Sequence, residues 1–324
     1  ATVRNPFRNK ERVVASYTAE VETIAPPTEA PGESQRLSPE APPTPTYTAP
    51  TVVIQPTRGL AALNLGDVWQ YRELLYFLVW RDLKVRYKQT ALGVLWVILQ
   101  PLASMAIFSV LFGLLLKVPS GEVPYPVFAY AGLLPWNYFA SALNRSSTSV
   151  VNSAHLITKV YFPRLVIPLA GVLSSLVDLA ISFLVLIGLM LVFRVTPTAG
   201  VLLLPLFILL AMITALGFGL WLSALNVRYR DVNYLLPFLV QIWMYLTPVV
   251  YGTNLIPQRF RFLLSLNPMT GVVEGFRWAL LGSALHEAQV SGPLLAVSVG
   301  IALLVLVSGA FFFRTTEKSF ADVV

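Results

Sequence analysis

Six long apolar windows dominate this 324-residue sequence and decide what it can fold into. Each window is nearly free of ionisable side chains and is long enough to supply the roughly 20 residues that an α-helix needs to cross a bilayer. Hydrophobic side chains make up 56% of the chain and charged ones 12%, whereas soluble domains have about 45–50% and 25%. An ordinary soluble enzyme is therefore excluded. The windows predict an all-α polytopic membrane protein with six transmembrane helices.

The composition divides the chain into three regions. Residues 1–56 hold 10 of the 24 prolines and little apolar mass, which predicts a disordered tail that is either an inert extension or a docking segment. Residues 57–90 form an aromatic and basic region, and residues 91–324 hold the six-span domain. We predict the spans within 89–116, 127–144, 165–193, 195–227, 232–251 and 288–313.

The stretch LGDVWQYRELLYFLVWRDLKVRYKQ at 65–89 predicts an amphipathic helix on the cytoplasmic membrane surface. Its tryptophans and tyrosines suit the headgroup level, where amphipathic rings are stable. Four cations lie near its end, beside the first span: Arg81, Lys84, Arg86 and Lys88. They either contact lipid phosphates or only fix the orientation of the chain, and a solvated linker is the alternative reading of the whole stretch.

The distribution of Lys and Arg predicts the orientation, because cytoplasmic loops carry an excess of these residues. One side of the six-span arrangement collects 11 of them and the other side collects 5. The first side is therefore cytoplasmic, and with six spans both termini are cytoplasmic. The net charge of +7 is concentrated beside the spans, which favours anionic headgroups over nucleic acid as the partner.

Several kinds of chemistry are missing from the sequence. No lysine follows a glycine, so the chain has no phosphate-binding GxxxxGK loop and cannot hydrolyse ATP by itself. It has no cysteine, and its two histidines, His155 and His286, are predicted on opposite sides of the membrane. We therefore expect no catalytic residue, no metal site and no cofactor within this chain.

One acidic residue, Asp178, falls well inside a predicted span. Ionisable groups at that depth are costly and usually have a partner or a functional role. The sequence leaves two possibilities open, a buried structural acid or an acid that faces a pore.

Two polar and aromatic stripes occur on the predicted first and fifth spans. At 100° per residue, Tyr234, Phe238, Gln241 and Tyr245 share one face of the fifth span, and Trp96 and Gln100 share one on the first. Aromatic faces with hydrogen-bonding groups suit a path for a sugar chain. The alternative is ordinary helix packing strengthened by polar groups.

The segment 252–287 is too polar to cross the bilayer and too apolar for a free loop. Its apolar runs are short, which favours re-entrant or interfacial helices. We predict two short helices on the outer face, between the fifth and sixth spans.

Several loop sequences resemble those of one known family. They are RDLKVRYKQTALGVLWVILQPL at 81–102, LITKVYFPRLVIPLA at 156–170, NVRYRDV at 226–232, NPM at 267–269 followed by Arg277, and FADV at 320–323. Together they resemble the membrane (permease) subunit of bacterial polysaccharide exporters of the ABC superfamily, which move O-antigen, teichoic acid and capsular glycans. The resemblance covers about residues 60–324.

The resemblance implies a homodimer in the bacterial inner membrane with two copies of a separate ABC ATPase, which binds the ATP and Mg. The implied substrate is a glycan on polyprenyl diphosphate, moved from the cytoplasmic to the outer leaflet, with the four cations near the first span receiving the diphosphate. The implied ATPase-coupling helix spans about 152–161, and the implied external gate lies between the last two spans. The coupling residues are Asn152, His155, Leu156, Lys159 and Tyr161, and the gate residues are Asn267, Pro268 and Arg277.

Two other functions compete with polysaccharide export. An ABC exporter for a small molecule, drug or lipid would favour an aliphatic cavity over an aromatic and amide-lined path. A membrane transferase acting on lipid-linked sugars would need clustered acids, histidines or a metal site, and the sequence has no such cluster.

Overall fold

The computed structural model describes residues 65–88, 93–282, 292–317 and 320. The predicted tail, 1–56, and the first residues of the predicted sixth span lie outside these residues. Within them, every regular element is helical, as the composition predicts. The α-helices are α1 (Leu65–Gln70), α2 (Arg72–Lys88), α3 (Gly93–Phe108), α4 (Tyr125–Asn152), α5 (Ala154–Ile157), α6 (Val166–Val192), α7 (Leu204–Arg228), α8 (Val232–Leu246), α9 (Gln258–Ser265), α10 (Pro268–Leu281) and α11 (Gly292–Thr316).

Four helical segments are long and apolar enough to cross a bilayer. They are α3 with the π-helical turns that continue it (93–115), α6, α7 with the 3-10 turn that precedes it (199–228), and α11. These agree with the predicted first, third, fourth and sixth spans. Helices α4 and α8 coincide with the second and fifth, but α4 ends in a polar segment and α8 has only 15 residues. The count of six spans stays a prediction.

Helix α4 forms the centre of the bundle. It packs against α6 and α7 over much of its length, and α7 packs against α11. Its apolar side chains belong to the main core, together with Phe207 of α7 and Phe276 of α10. Trp243 of α8 completes an aromatic group, since its ring meets Phe139 and Phe218 edge to face with centroids 5.0 and 4.8 Å apart.

Helix α4 is longer than the span predicted there. The sequence places the polar run after Asn144 in a loop, whereas the helix continues to Asn152. The hydroxyls of Ser147 and Thr148 donate to the carbonyl of Asn144, at 2.9 and 3.0 Å, and Ser149 donates to Ser146 at 2.7 Å. Because these side chains bond within their own helix, the polar run does not interrupt it.

A second apolar cluster lies at one end of the bundle and joins several parts of the chain. It contains Leu78 of α2, Ile157 of α5 with Phe162 after it, Phe313 of α11 and Phe320, together with the ends of α6 and α7. This is the end where most of the predicted cytoplasmic cations lie. The cluster fixes α2 and the loop after α4 against the ends of the long helices.

Candidate functional site

A cavity of about 600 Å³ opens between α2, α3, α4, α6 and α8. Polar and aromatic groups line much of it: Trp96 and Gln100 of α3, Asn137, Asn144 and Arg145 of α4, and Asp178 of α6. Arg86 contributes from the last turn of α2, and aliphatic side chains of α8 close the opposite side. The volume lies in the range of small-molecule and headgroup sites.

Asp178 binds two arginines at the edge of this cavity. Its Oδ2 accepts hydrogen bonds from Arg86 Nη1 and, at 3.1 Å, from Arg145 Nη2, while Tyr87 donates its hydroxyl to Oδ1. The carboxylate side chain is only 14% exposed. Burial and the hydrogen bond to Asp178 raise the pKa of Tyr87 to about 12, so this hydroxyl stays a donor at neutral pH. Asp178 therefore pairs with two cations and also lines the cavity.

The four predicted headgroup cations do not form one cluster. Arg86 faces the cavity, whereas Arg81 pairs with Asp82 at 3.0 Å and Lys84 and Lys88 are exposed. Arg145 binds the same carboxylate oxygen as Arg86, although the sequence indicates only that it is one of the cations on the cytoplasmic side. The signal that could have identified it is Asp178, because a carboxylate placed deep in a span needs a counter-charge.

The two predicted stripes lie in different surroundings. Trp96 and Gln100 line the cavity. The stripe on α8 is on the outside of this chain: Tyr234 is 85% exposed, and Phe238, Gln241 and Tyr245 are exposed as well. The neighbouring Leu236 points inward and is 3% exposed. The structure therefore does not bring the two stripes together within one chain.

The predicted coupling segment forms a protruding surface next to the second apolar cluster. Asn152 is the last residue of α4, and α5 is a single turn that carries His155 and Leu156. Lys159 and Tyr161 follow and are exposed, with Tyr161 at 80%. A small cavity of about 210 Å³ lies beside them, between Ile157 and Arg164.

Arg164 ties this segment to the C-terminal end of the chain, a contact that sequence reasoning missed. It donates to the main-chain carbonyl of Glu317, and its guanidinium lies 5.9 Å from the centre of the Phe320 ring. Burial raises the pKa of the Glu317 carboxyl, and Arg314 and Arg164 act against that shift. These contacts attach the exposed segment to the residues that follow α11.

The predicted gate residues occupy the start and the interior of α10. The Asn267 side chain accepts from the Met269 amide at 3.1 Å and donates to Thr247 at 2.8 Å, so it caps α10 and attaches it to the end of α8. Pro268 is the first helical residue, where its missing N–H costs nothing. Most of α10 is buried within the chain, and its place at the outer face of the membrane stays a prediction.

Arg277 of α10 is almost fully buried and binds main-chain carbonyls. It donates to Pro248 at 2.7 Å, Tyr251 at 3.0 Å and Phe128 at 3.3 Å, and also to Val249. Burial lowers its pKa to about 10, and nearby Glu274 acts against that shift, so it stays charged at neutral pH. The guanidinium satisfies main-chain carbonyls in the segment that follows α8 and one carbonyl in α4.

Comparison with known proteins places the chain in a defined group. A family model described as ABC-2 type transporter matches residues 73–281. The O-antigen export system permease protein RfbA of Myxococcus xanthus is 29% identical over 262 residues, which cover 80% of this chain and 98% of that protein. An RfbA protein of Klebsiella pneumoniae is 30% identical, with 81% and 97% covered. The polysialic acid transport protein KpsM of Escherichia coli is 26% identical, with 74% and 92% covered.

Proposed function

Since the chain belongs to the ABC-2 type transporter family, we propose that it is the transmembrane subunit of an ATP-driven exporter of polysaccharide. The observation that carries this proposal is its similarity over nearly the whole length of proteins named as O-antigen export permeases. The cargo is an O-antigen-like glycan on a polyprenyl diphosphate lipid. It moves from the cytoplasmic to the outer leaflet of the bacterial inner membrane.

The cavity residues support a cargo that carries sugars. Gln100, Asn137 and Asn144 offer amide groups that exchange hydrogen bonds with hydroxyls, and Trp96 offers an aromatic face. Each contact of this kind is worth on the order of 1 kcal/mol. Weak repeated contacts suit a long chain that must keep moving. An exporter of small apolar molecules would not need these amides.

We place ATP and Mg on a separate ABC ATPase subunit, in two copies, and no cofactor in this chain. The coupling surface is the protruding segment that begins at Asn152 and carries His155, Leu156, Lys159 and Tyr161. Ile157 and Phe162 anchor it in the second apolar cluster. A docked ATPase that shifts this segment therefore moves the ends of α2, α6 and α11 with it.

Two copies of the chain form the exporter, with six spans each and both termini in the cytoplasm. The exposed stripe on α8 supports a second copy, because Tyr234, Phe238, Gln241 and Tyr245 face away from their own chain. In a dimer, these side chains from both copies line a shared channel together with Trp96 and Gln100. Asn267 and Pro268 hold the start of the gate helix α10, and Arg277 holds its interior.

Stimulation of ATP hydrolysis tests the proposed cargo. The full chain is reconstituted in nanodiscs with its ATPase subunit, and ATP turnover is measured with a polyprenyl-diphosphate-linked glycan, with the same lipid without glycan, and with a set of apolar drugs. We expect the glycan-bearing lipid to stimulate turnover most. The chain without its ATPase should show no turnover. Stimulation by drugs alone would replace this proposal with the small-molecule exporter.

A further inference from the structure

Charged groups of both signs lie at the edge of the cavity. Two guanidinium groups, from Arg86 and Arg145, share the single carboxylate of Asp178. Tyr87 adds a neutral hydroxyl donor to that carboxylate. Among the ionised side chains that line the described cavity, positive charge is in excess.

These charged groups do not form an ion pair that is closed off from the cavity. The side chains of Arg86, Arg145 and Asp178 are 17%, 31% and 14% exposed, and all three line the cavity. Arg145 is also fixed from behind, because its Nε donates to Ser141 at 3.1 Å. Its guanidinium is therefore held in place and faces space large enough for a ligand.

Arginine is well suited to bind phosphate, because its planar fork of N–H donors matches two oxygens at once. A carboxylate presents the same pair of oxygens and the same negative charge. In this cavity, Asp178 offers the two arginines what a phosphate group would offer. The amides of Gln100, Asn137 and Asn144 lie around the remaining space.

We propose that Asp178 holds the place of an anionic headgroup, and that a phosphate- or diphosphate-bearing lipid binds in this cavity by taking Arg145 and Arg86 from the carboxylate. This inference rests on the proposed function and names the part of the cargo that the cavity recognises. It assigns Arg145 to anion binding and Asp178 to competition with the ligand. No covalent step is involved.

Competition by Asp178 and structural support by Asp178 have opposite consequences for ligand binding. If Asp178 competes, its removal strengthens binding. If it only supports the fold, its removal weakens binding by loosening both arginines. The two readings therefore predict opposite results for one substitution.

The test measures binding of geranylgeranyl diphosphate to the full chain in nanodiscs of zwitterionic lipid. Asp178→Asn should bind roughly tenfold more tightly than the parent, and Arg145→Gln roughly tenfold more weakly, the fold change that matches one charge-assisted hydrogen bond. A matched control away from the cavity is Arg228→Gln, at the exposed end of α7. It should bind like the parent.

Two further ligands separate the possible sources of the anion. Geranylgeraniol carries the lipid without phosphate, and inorganic pyrophosphate carries the anion without lipid. We expect both to bind at least tenfold more weakly than geranylgeranyl diphosphate, since each keeps only part of the contacts. Equal binding of pyrophosphate would overturn the lipid assignment and leave a site for a free anion.

Weaker binding by Asp178→Asn would overturn the competition, and parent-like binding by Arg145→Gln would overturn the site. Should Asp178→Asn fail to fold, Arg145→Lys and Arg145→Gln decide the assignment of Arg145, since only the first keeps a cation. These results are distinct from a failure of the proposed function. A chain that exports glycan but shows none of these differences refutes the site alone.

Discussion

Arg277→Met should destabilise the protein more than the similar size of the two side chains suggests. The side chain is 4% exposed and donates to four main-chain carbonyls from the end of α8 and from α4. Its guanidinium carbon also lies 3.8 Å from the centre of the Phe128 ring. Methionine fills much of the same volume but donates nothing, so these carbonyls lose their charged partner.

The magnitude follows from the number of groups left unpaired. A buried acceptor without a donor costs about 1–3 kcal/mol, and removal of one partner from a buried charged pair costs about 3–5 kcal/mol. We expect the free energy of unfolding to fall by about 3–5 kcal/mol. The unfolding temperature should then fall by on the order of 10 °C.

Thermal unfolding of the purified chain in detergent measures this change. Gly132→Ala should also lower the unfolding temperature, because the added Cβ would lie 2.5 Å from the Arg277 guanidinium. Arg259→Met, on the exposed face of α9, is the matched control and should stay within about 0.5 kcal/mol of the parent. If Arg277→Met unfolded at or above the parent temperature, the carbonyls would not depend on Arg277 and the reasoning would be wrong.

Three other predictions test separate parts of the structure. Gly275→Ala places a methyl group against the Phe207 ring, so the free energy of unfolding should fall by about 1–3 kcal/mol; an unchanged unfolding temperature would contradict that close packing. Leu156→Asp on α5 should lower the glycan exported per ATP hydrolysed by the complex with its ATPase while membrane insertion stays normal, and a parent-like ratio would remove α5 from coupling. In this cysteine-free chain, a cysteine at Tyr245 should react with a water-soluble thiol reagent and one at Leu236 should be protected; the reverse pattern would place the α8 stripe against lipid or packed protein.

The long apolar helices were predictable because each span carries its own signal. Twenty apolar residues in a row have few alternatives to a helix in lipid or in a core, and α6, α7 and α11 follow that rule. The end of α8 was not predictable in the same way. The apolar run continues to Tyr251, but the helix ends at Leu246, and Arg277 from α10 binds main-chain carbonyls of the segment that follows. That contact joins residues far apart in sequence.

Some residues of the candidate site were predictable, but their arrangement was not. Trp96, Gln100 and Asp178 stand out by their polarity inside apolar windows, and the structure places all three at one cavity. The pairing of Asp178 with Arg145 depends on how α4 packs against α6, which no local pattern records. Arg81 and Arg86 are both cations near the end of the same predicted helix, yet only Arg86 of the two lines the cavity. Burial of α10 likewise depends on the helices packed against it, because Glu274 and Arg277 indicate only a segment that does not cross the bilayer.

Direct measurement of glycan movement tests whether this chain exports polysaccharide. Inside-out vesicles that contain the chain and its ATPase subunit receive a labelled glycan on polyprenyl diphosphate in their outer leaflet. A glycosidase is then added outside, with or without ATP. We expect ATP to make the label resistant to the enzyme, because the glycan has moved into the lumen, and we expect no protection in vesicles without this chain. Full digestion in the presence of ATP, in vesicles where the same complex transports a small apolar molecule, would show that the complex does not export glycan.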